Sequence, residues 1–154
     1  MARGFLAQVQ QLGTALAAII DRNIQEATSL VMEGVHLIPG ISPSADFEGA
    51  TIVEIVLAVE DEESHRNHFG LREGQTRNRR SREVYLDHFQ EIRMLQGFIT
   101  RHAQEEGVVV IESGDLDQAV DRAIEHILDM LLVAYYQEDG SPVRREPQEV
   151  AETS

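Results

Sequence analysis

The sequence contains no cysteine and no lysine, and each absence excludes a class of chemistry. Without cysteine there is no disulfide, no thiolate nucleophile and no cysteine-ligated zinc or iron–sulfur site, and a cytoplasmic location is the default expectation. Because all 13 basic residues are arginine, a site that needs a lysine cannot be complete within this chain. No apolar run approaches the roughly 18 residues of a membrane span, so we expect no membrane partner.

The charge of the chain is strongly negative and unevenly spread. A formal net charge of −14 repels nucleic acid at long range, so we expect no nucleic-acid partner. Within this acidic chain, six of the 13 arginines fall between positions 66 and 82: Arg66, Arg72, Arg77, Arg79, Arg80 and Arg82. A local site for a small anionic metabolite is therefore compatible with the overall charge.

Length and periodicity predict one α/β domain over residues 1–136, followed by a flexible tail over 137–154. Apolar periodicity predicts helices over 5–28, 82–106 and 115–136, and short β-rich runs predict strands over 29–34, 51–59 and 108–111. Ser81 is the expected cap of the second helix, Gly107 its end, and Asp115 the N-cap of the third. This order favours a mainly parallel three-stranded sheet with flanking helices.

Glu33 is the first candidate site residue, because it follows an apolar run and precedes a glycine and a loop. At the carboxyl end of a buried parallel strand, a carboxylate can hold Mg²⁺ or accept a proton from a hydroxyl nucleophile. The alternative is a glutamate satisfied by backbone N–H groups or by an arginine. His36 follows in the same loop, where it either contacts substrate or forms a hydrogen bond within the loop.

The arginine-rich stretch lies in a polar segment, about 60–82, that lacks a continuous apolar stripe. Guanidinium groups bind phosphate and carboxylate in a bidentate manner, so several of them on a mobile segment can close over an anionic substrate as a lid. The alternative is a solvated face whose arginines pair with the acidic residues at 60–63. The direction of Arg93, on the following helix, is left open between an inward anion site and pairing with nearby acids.

Three motifs follow one another along the chain. The first is Glu33-Gly-Val-His-Leu-Ile-Pro-Gly40. The second is Asp61-Glu-Glu-Ser-His-Arg-Asn-His-Phe69 with Arg72, and the third is Tyr85-Leu-x-x-Phe89-x-x-Ile92-Arg93-x-x-Gln96. In this order the three motifs resemble the 2-phosphoglycerate kinase family of P-loop kinases. The resemblance extends from about residue 5 to residue 132, which is most of the chain.

The resemblance implies ATP-dependent phosphoryl transfer to a small phosphorylated hydroxy acid, with Mg²⁺, on a nucleoside-monophosphate-kinase-like fold. It places Glu33 at the family's acidic strand end, and Arg66, Arg72 and the neighbouring arginines in the lid. The G-x-x-x-x-G-K-[ST] phosphate loop of such kinases is absent, since the chain has no lysine.

We therefore expect an incomplete P-loop kinase-like core that is inactive alone, with its nucleotide-binding half either in another polypeptide or lost from the gene model. Two alternatives stay open. One is a non-catalytic binding module for a phosphorylated or carboxylated metabolite. The other is an oligomerising structural remnant.

Overall fold

The computed structural model describes residues 2–42, 50–75 and 82–136. These residues form an α/β fold of five helices and two strands, which confirms the predicted fold class. In chain order the elements are α1 (Ala2–Gln25), β1 (Ile55–Ala58), α2 (Glu62–Gln75), α3 (Arg82–Asp87), α4 (Phe89–Glu105), β2 (Val109–Glu112) and α5 (Leu116–Tyr135). The predicted tail, residues 137–154, and Ser81 lie outside the described residues.

The sheet consists of β1 and β2, which pair in parallel. Ile55 lies opposite Val109 and Ala58 opposite Glu112, so the carboxyl ends of both strands meet at one edge. Helix α4 packs against both strands, and α5 packs against β2. Apolar residues from these elements, including Val56, Ile111 and Ala103, supply much of the buried core.

The prediction of a strand over 29–34 is wrong, and the sheet of the described residues has two strands rather than three. Val31 is 94% exposed and Leu30, which would point to the opposite face of a strand, is 42% exposed, so the segment is not buried on either face. A strand requires ladder hydrogen bonds with a neighbour. The only backbone bond recorded for this segment beyond regular elements is the turn bond from Leu37 N–H to the Gly34 carbonyl, at 3.0 Å.

The single helix predicted over 82–106 is interrupted at His88, which separates α3 from α4. Asp87 and His88 are exposed residues of low helix propensity, so ending a helix there costs little. The apolar stripe continues through the interruption, because Tyr85 and Phe89 both contact Phe69. Periodicity therefore could not reveal the break.

The predicted helix boundaries at Gly107 and Asp115 are confirmed. Gly107 follows α4 with φ +70°, and the next N–H, of Val108, donates to the Ala103 carbonyl at 2.8 Å. This is the left-handed turn that favours glycine after a helix. At the start of α5, the Asp115 side chain accepts the N–H groups of Asp117 and Gln118.

Helix α1 is amphipathic, as predicted, and buries Val9. Ala27 lies just beyond its end with φ +50°, in the region that Gly107 occupies after α4. None of the helices in the described ranges combines the length and apolarity needed to cross a membrane.

Candidate functional site

The carboxyl end of β1 is held by two side chains of α4. Gln96 accepts the Val59 N–H at 3.2 Å and donates its Nε2 to the Val59 carbonyl at 2.9 Å. Arg93 donates Nη1 to the same carbonyl at 2.5 Å and Nη2 to the Glu60 carbonyl at 2.9 Å. Arg93 and Gln96 are three residues apart, so they lie on the same helix face. Together they fix the backbone where β1 leaves the sheet.

The carboxyl end of β2 is tied to that of β1 by Glu112 and Ser113. The Glu112 carboxylate accepts the Glu60 N–H at 2.7 Å and the Gly114 N–H at 2.8 Å. The Ser113 N–H donates to the Ala58 carbonyl at 2.8 Å, and its hydroxyl donates to the same oxygen at 3.2 Å. We call this region, residues 58–61 and 112–115, the strand-end site. It is the edge at which open α/β sheets bind ligands.

An aromatic cluster of His65, Phe69, Tyr85 and Phe89 lies beside the strand-end site. The His65 ring is buried, stacked on Phe69 at 5.4 Å between ring centroids and edge-on to Phe89 at 5.4 Å. Tyr85 stacks on Phe69 at 5.0 Å with an interplanar angle of 5°. The cluster therefore fastens α2 to both α3 and α4.

Arg93 joins the aromatic cluster to the strand end, because its Nη1 lies 3.3 Å from His65 Nδ1. Arg66, one residue further along α2, pairs with Glu62 and places its guanidinium carbon 4.2 Å from the centre of the Phe89 ring. The sequence left two roles open for Arg66, a lid arginine or a partner of the acidic residues at 60–63. In this structure Arg66 pairs with one of those acids, Glu62, and its side chain lies against α4.

Asp61 immediately precedes α2 and is one of two carboxyls of the strand-end site with a shifted pKa; the other is Asp115, the N-cap of α5. Its Oδ2 accepts the Ser64 N–H at 2.6 Å. Hydrogen bonds from the Ser64 backbone and hydroxyl, with a smaller effect from the Arg93 charge, lower the pKa of the Asp61 carboxyl below its usual range. The carboxylate thereby remains ionised where α2 begins, next to the strand-end site.

The first family-like motif forms a closed loop that packs on α1. Ile38 is fully buried, and its N–H donates to the Ser42 hydroxyl at 2.8 Å, while that hydroxyl donates to the His36 carbonyl at 3.0 Å. The His36 side chain leaves this loop, with Nε2 3.2 Å from Gln8 Oε1 and the ring stacked on Phe5 at 5.1 Å.

Curated relatives of this chain are 2-phosphoglycerate kinases. The chain is 32% identical over 129 residues to the 2-phosphoglycerate kinase of Methanopyrus kandleri, a match that covers 84% of the chain and 39% of that protein. It is 32% identical over 124 residues to the Methanothermobacter thermautotrophicus enzyme, covering 80% of the chain and 40% of that protein. It is 30% identical over 129 residues to the Methanocaldococcus jannaschii enzyme, covering 84% and 41% respectively.

The predicted resemblance to the 2-phosphoglycerate kinase family is confirmed. The chain spans about two fifths of the length of these kinases. A scan against protein-family models finds no match, and no solved structure matches either.

The second and third motifs of the kinase resemblance converge in space. Asp61, His65 and Phe69 come from one motif, and they meet Tyr85, Phe89, Arg93 and Gln96 from the other at the strand-end site and the aromatic cluster. The spacing 85, 89, 93, 96 is that of one helix face, so the shared face of the third motif was accessible from sequence, whereas its contact with the second motif was not. The partners of Arg93 could not be predicted, because they are backbone carbonyls, which every residue has.

The predicted site residues are not brought together by the contacts of the described residues. The Glu33 carboxylate is exposed and makes no hydrogen bond or ion pair within residues 2–42, 50–75 and 82–136. The His36 side chain packs against α1, whereas the Arg66 side chain, on α2, contacts Phe89 of α4. Arg72 belongs to α2 and Arg82 begins α3. Arg77, Arg79 and Arg80 lie outside the described residues.

The cofactors implied by a kinase fit these residues unequally. Mg²⁺ commonly binds one or two protein carboxylates together with substrate phosphates, and an exposed carboxylate such as Glu33 suits that role. In the described part of the chain, no group of three or more histidine, aspartate or glutamate side chains could hold a metal ion. The chain has no lysine, so it does not itself supply the lysine of a phosphate loop for ATP.

Proposed function

We propose that this chain is the acceptor-side portion of an ATP-dependent small-molecule kinase, with a lid, on an incomplete P-loop kinase-like core. The acceptor is a small phosphorylated hydroxy acid of the 2-phosphoglycerate type. The observation that carries the proposal is the convergence of two motifs on the carboxyl edge of a parallel sheet, where Arg93 and Gln96 fix the end of β1. The names of the relatives supply the substrate class.

In this proposal the strand-end site positions the start of α2, and α2 carries two arginines of the lid, Arg66 and Arg72. Arg66 has a partner in Glu62 and a ring face in Phe89, both of which a substrate phosphate can replace as the contact of the guanidinium. Exposed pairs of this kind contribute little to stability, roughly 0–1 kcal/mol. Releasing Arg66 toward an anion therefore costs little, and Arg72, Arg77, Arg79, Arg80 and Arg82 extend the same lid.

Glu33 and His36 form the other side of the proposed acceptor site. Glu33 would either hold Mg²⁺ through water or accept the proton of the acceptor hydroxyl, and His36 would contact the substrate. Support for Glu33 comes from its exposure and its lack of a described partner, because a carboxylate already held by an arginine would be less available. The hydrogen bonds of the closed loop between His36 and Ser42 fix the backbone that follows Glu33.

Calorimetric titration tests this proposal without requiring turnover. The chain is titrated with 2-phosphoglycerate in the presence of Mg²⁺, with glycerate as the ligand that lacks phosphate. We expect saturable binding of 2-phosphoglycerate with a dissociation constant of about 1 mM or tighter, the usual upper range for enzyme substrates. Arg66→Ala should weaken binding at least threefold, and Arg101→Ala, an exposed arginine of α4, should not. Equal heats from both ligands would overturn the phosphate-dependent lid.

The second candidate is a non-catalytic binding module, and the absence of lysine favours it. Such a module binds the phosphorylated acid with the same residues and transfers no phosphoryl group. The two candidates separate in an assay of ADP formation from ATP with 2-phosphoglycerate and the chain completed by a nucleotide-binding segment. Turnover that Glu33→Gln abolishes supports the kinase, and binding without turnover supports the module.

A further inference from the structure

The His36 side chain is held by two residues of α1. Its ring stacks on Phe5, with 5.1 Å between centroids and an interplanar angle of 24°, and its Nε2 lies 3.2 Å from Oε1 of Gln8. Phe5 and Gln8 are three positions apart, so they lie on the same face of the helix. The stacking sets the plane of the imidazole ring, and the contact with Gln8 sets its rotation within that plane.

The loop that carries His36 is packed in place by other contacts. Ile38 of this loop is fully buried. Gly40 has φ +73°, and a Cβ at that position would lie 2.5 Å from Oε1 of Glu106, so this close approach requires glycine. The net contribution of one neutral hydrogen bond is modest, because folding replaces a bond to water. The contact with Gln8 therefore matters more for the state of the His36 ring than for fastening the loop.

Gln8 decides which ring nitrogen of His36 carries the hydrogen. The amide oxygen that faces the ring only accepts hydrogen bonds, so Nε2 is the donor. In a neutral imidazole the other nitrogen, Nδ1, then has a free lone pair. Among the described residues no group is hydrogen-bonded to Nδ1, and the side chain is half-buried rather than enclosed, so a ligand can reach this lone pair.

A lone pair on Nδ1 selects a ligand group that donates a hydrogen bond. The carboxylate of a phosphorylated hydroxy acid only accepts hydrogen bonds, and so does its phosphate once the pH exceeds the second phosphate pKa of about 6. The hydroxyl group is then the donor that such a ligand offers. Nδ1 therefore fits the acceptor hydroxyl, whereas the anionic groups fit guanidinium donors.

We propose that Gln8 is a positioning residue that holds His36 as the Nε2–H tautomer, and that Nδ1 of His36 accepts a hydrogen bond from the acceptor hydroxyl. This inference rests on the proposed function and adds to it the part of the substrate that His36 recognises. A ligand without the hydroxyl leaves Nδ1 without this donor, so the site discriminates against it.

Nitrogen NMR of the full, unliganded chain tests the role of Gln8. At about pH 8, where an ordinary histidine is neutral, two-bond ¹H–¹⁵N correlation distinguishes the tautomers, because the ring nitrogen without hydrogen resonates far downfield. The signals of His36 are assigned by their loss in His36→Asn. We expect the Nε2–H tautomer in the wild type, and at least a twofold larger share of Nδ1–H in Gln8→Met. Gln8→Glu, whose carboxylate also accepts, should keep Nε2–H.

Gln10→Met is the matched control for the tautomer measurement, because Gln10 is exposed and lies about 200° away from Gln8 around α1. It should leave the tautomer ratio of His36 unchanged. A wild type in which Nδ1–H predominates, or a ratio that Gln8→Met does not change, would overturn the positioning role.

Calorimetry at the same pH tests which group of the ligand His36 recognises. 2-Phosphoglycerate is compared with 2-phospholactate, in which a methyl group replaces the hydroxymethyl group. The wild type should bind 2-phosphoglycerate about three- to tenfold more tightly, the effect of one hydrogen bond. Gln8→Met should reduce this preference to less than twofold and leave the affinity for 2-phospholactate unchanged. A merely structural role of Gln8 would instead weaken both ligands equally, and that result would contradict the inference.

The binding data separate failure of this inference from failure of the proposed function. Equal affinity of the wild type for both ligands would overturn the recognition of the hydroxyl by His36, while the phosphate-dependent acceptor site would stand. Binding of neither ligand at millimolar concentration would overturn both the hydroxyl recognition and the acceptor site. The comparison of the two ligands uses the unmodified chain, so it does not depend on the folding of a variant.

Discussion

The Arg93 guanidinium donates to the carbonyl oxygen of Val59, 34 positions earlier in the chain, at 2.5 Å. The same side chain bonds the Glu60 carbonyl and contacts His65, so one arginine connects α4, the end of β1 and α2. A guanidinium suits this position because its donors diverge in a plane and it stays charged. The start of the proposed lid helix is therefore set by the third motif of the kinase resemblance.

Replacement of Arg93 by methionine should destabilise the fold by about 1–3 kcal/mol, because the part-buried Val59 carbonyl loses one of its two donors and the Glu60 carbonyl loses its bond to Arg93. Urea unfolding measures the change. Arg101→Met is the matched control on α4, where the arginine is exposed, and its effect should stay within about 0.5 kcal/mol. Equal effects of the two substitutions would show that Arg93 does not hold the strand end.

Substitutions at the two left-handed residues should have opposite signs. Gly107→Ala should destabilise the protein by about 1 kcal/mol, and Ala27→Gly should stabilise it by up to about 1 kcal/mol, because only glycine adopts positive φ without steric cost. Midpoints of thermal unfolding report both changes. Shifts of the same sign would contradict the backbone geometry at one of these helix ends.

The capping carboxylate of α5 should make stability depend on pH. Hydrogen bonds from the Gln118 backbone and side chain, and then from Asp117, lower the pKa of Asp115. Because the pKa of Asp115 is lower in the folded state, the ionised cap stabilises the protein fully above the pKa of the unfolded state, about 4. It is lost as the pH falls through the lower folded value.

Asp115→Asn keeps an acceptor for the cap and removes this titration, so its stability should fall less between pH 5 and 2 than that of the wild type. Urea midpoints across this range, about pH 5 to 2, measure the difference. Asp121→Asn, an exposed carboxylate of the same helix, is the control. An unchanged slope for Asp115→Asn would contradict the capping role.

Phe69→Ala should loosen α2 selectively, because Phe69 is the residue through which α2 contacts both Tyr85 and Phe89. Truncating a buried phenylalanine costs about 3–5 kcal/mol. Amide exchange should accelerate in α2 before it does in α5. Val84→Ala, at a half-exposed residue of α3, should leave α2 exchange unchanged. Uniform acceleration in both helices would indicate that the cluster is not local to α2.

The sequence predicted those parts of the fold that depend on local chemistry. Gly107 and Asp115 mark helix boundaries through backbone conformation and side-chain capping, which neighbouring residues decide. The strand predicted over 29–34 failed because a strand depends on a neighbour, and an apolar run such as Leu30 to Met32 carries no record of whether one is present. The break at His88 was hidden because the apolar stripe crosses it.

The candidate site was predictable in its motifs and not in its contacts. The residues of the second and third motifs were identified from sequence, and the structure brings Asp61, His65 and Arg93 together. The direction of the Arg93 side chain was not predicted, because a guanidinium that binds backbone carbonyls and one that binds an anion look the same in sequence. The partner of His36 proved to be Gln8, a contact between residues 28 positions apart that no local pattern encodes.

The most direct test of the acceptor-site proposal is amide chemical-shift mapping of the isotopically labelled chain with 2-phosphoglycerate and Mg²⁺. We expect saturable shifts at Glu60, Asp61 and Arg66, beside the carboxyl end of β1, and at Glu33, with no such shifts from glycerate. Shifts confined to other parts of the chain, or none at millimolar ligand, would contradict the assignment of this edge of the sheet as the acceptor side of a kinase.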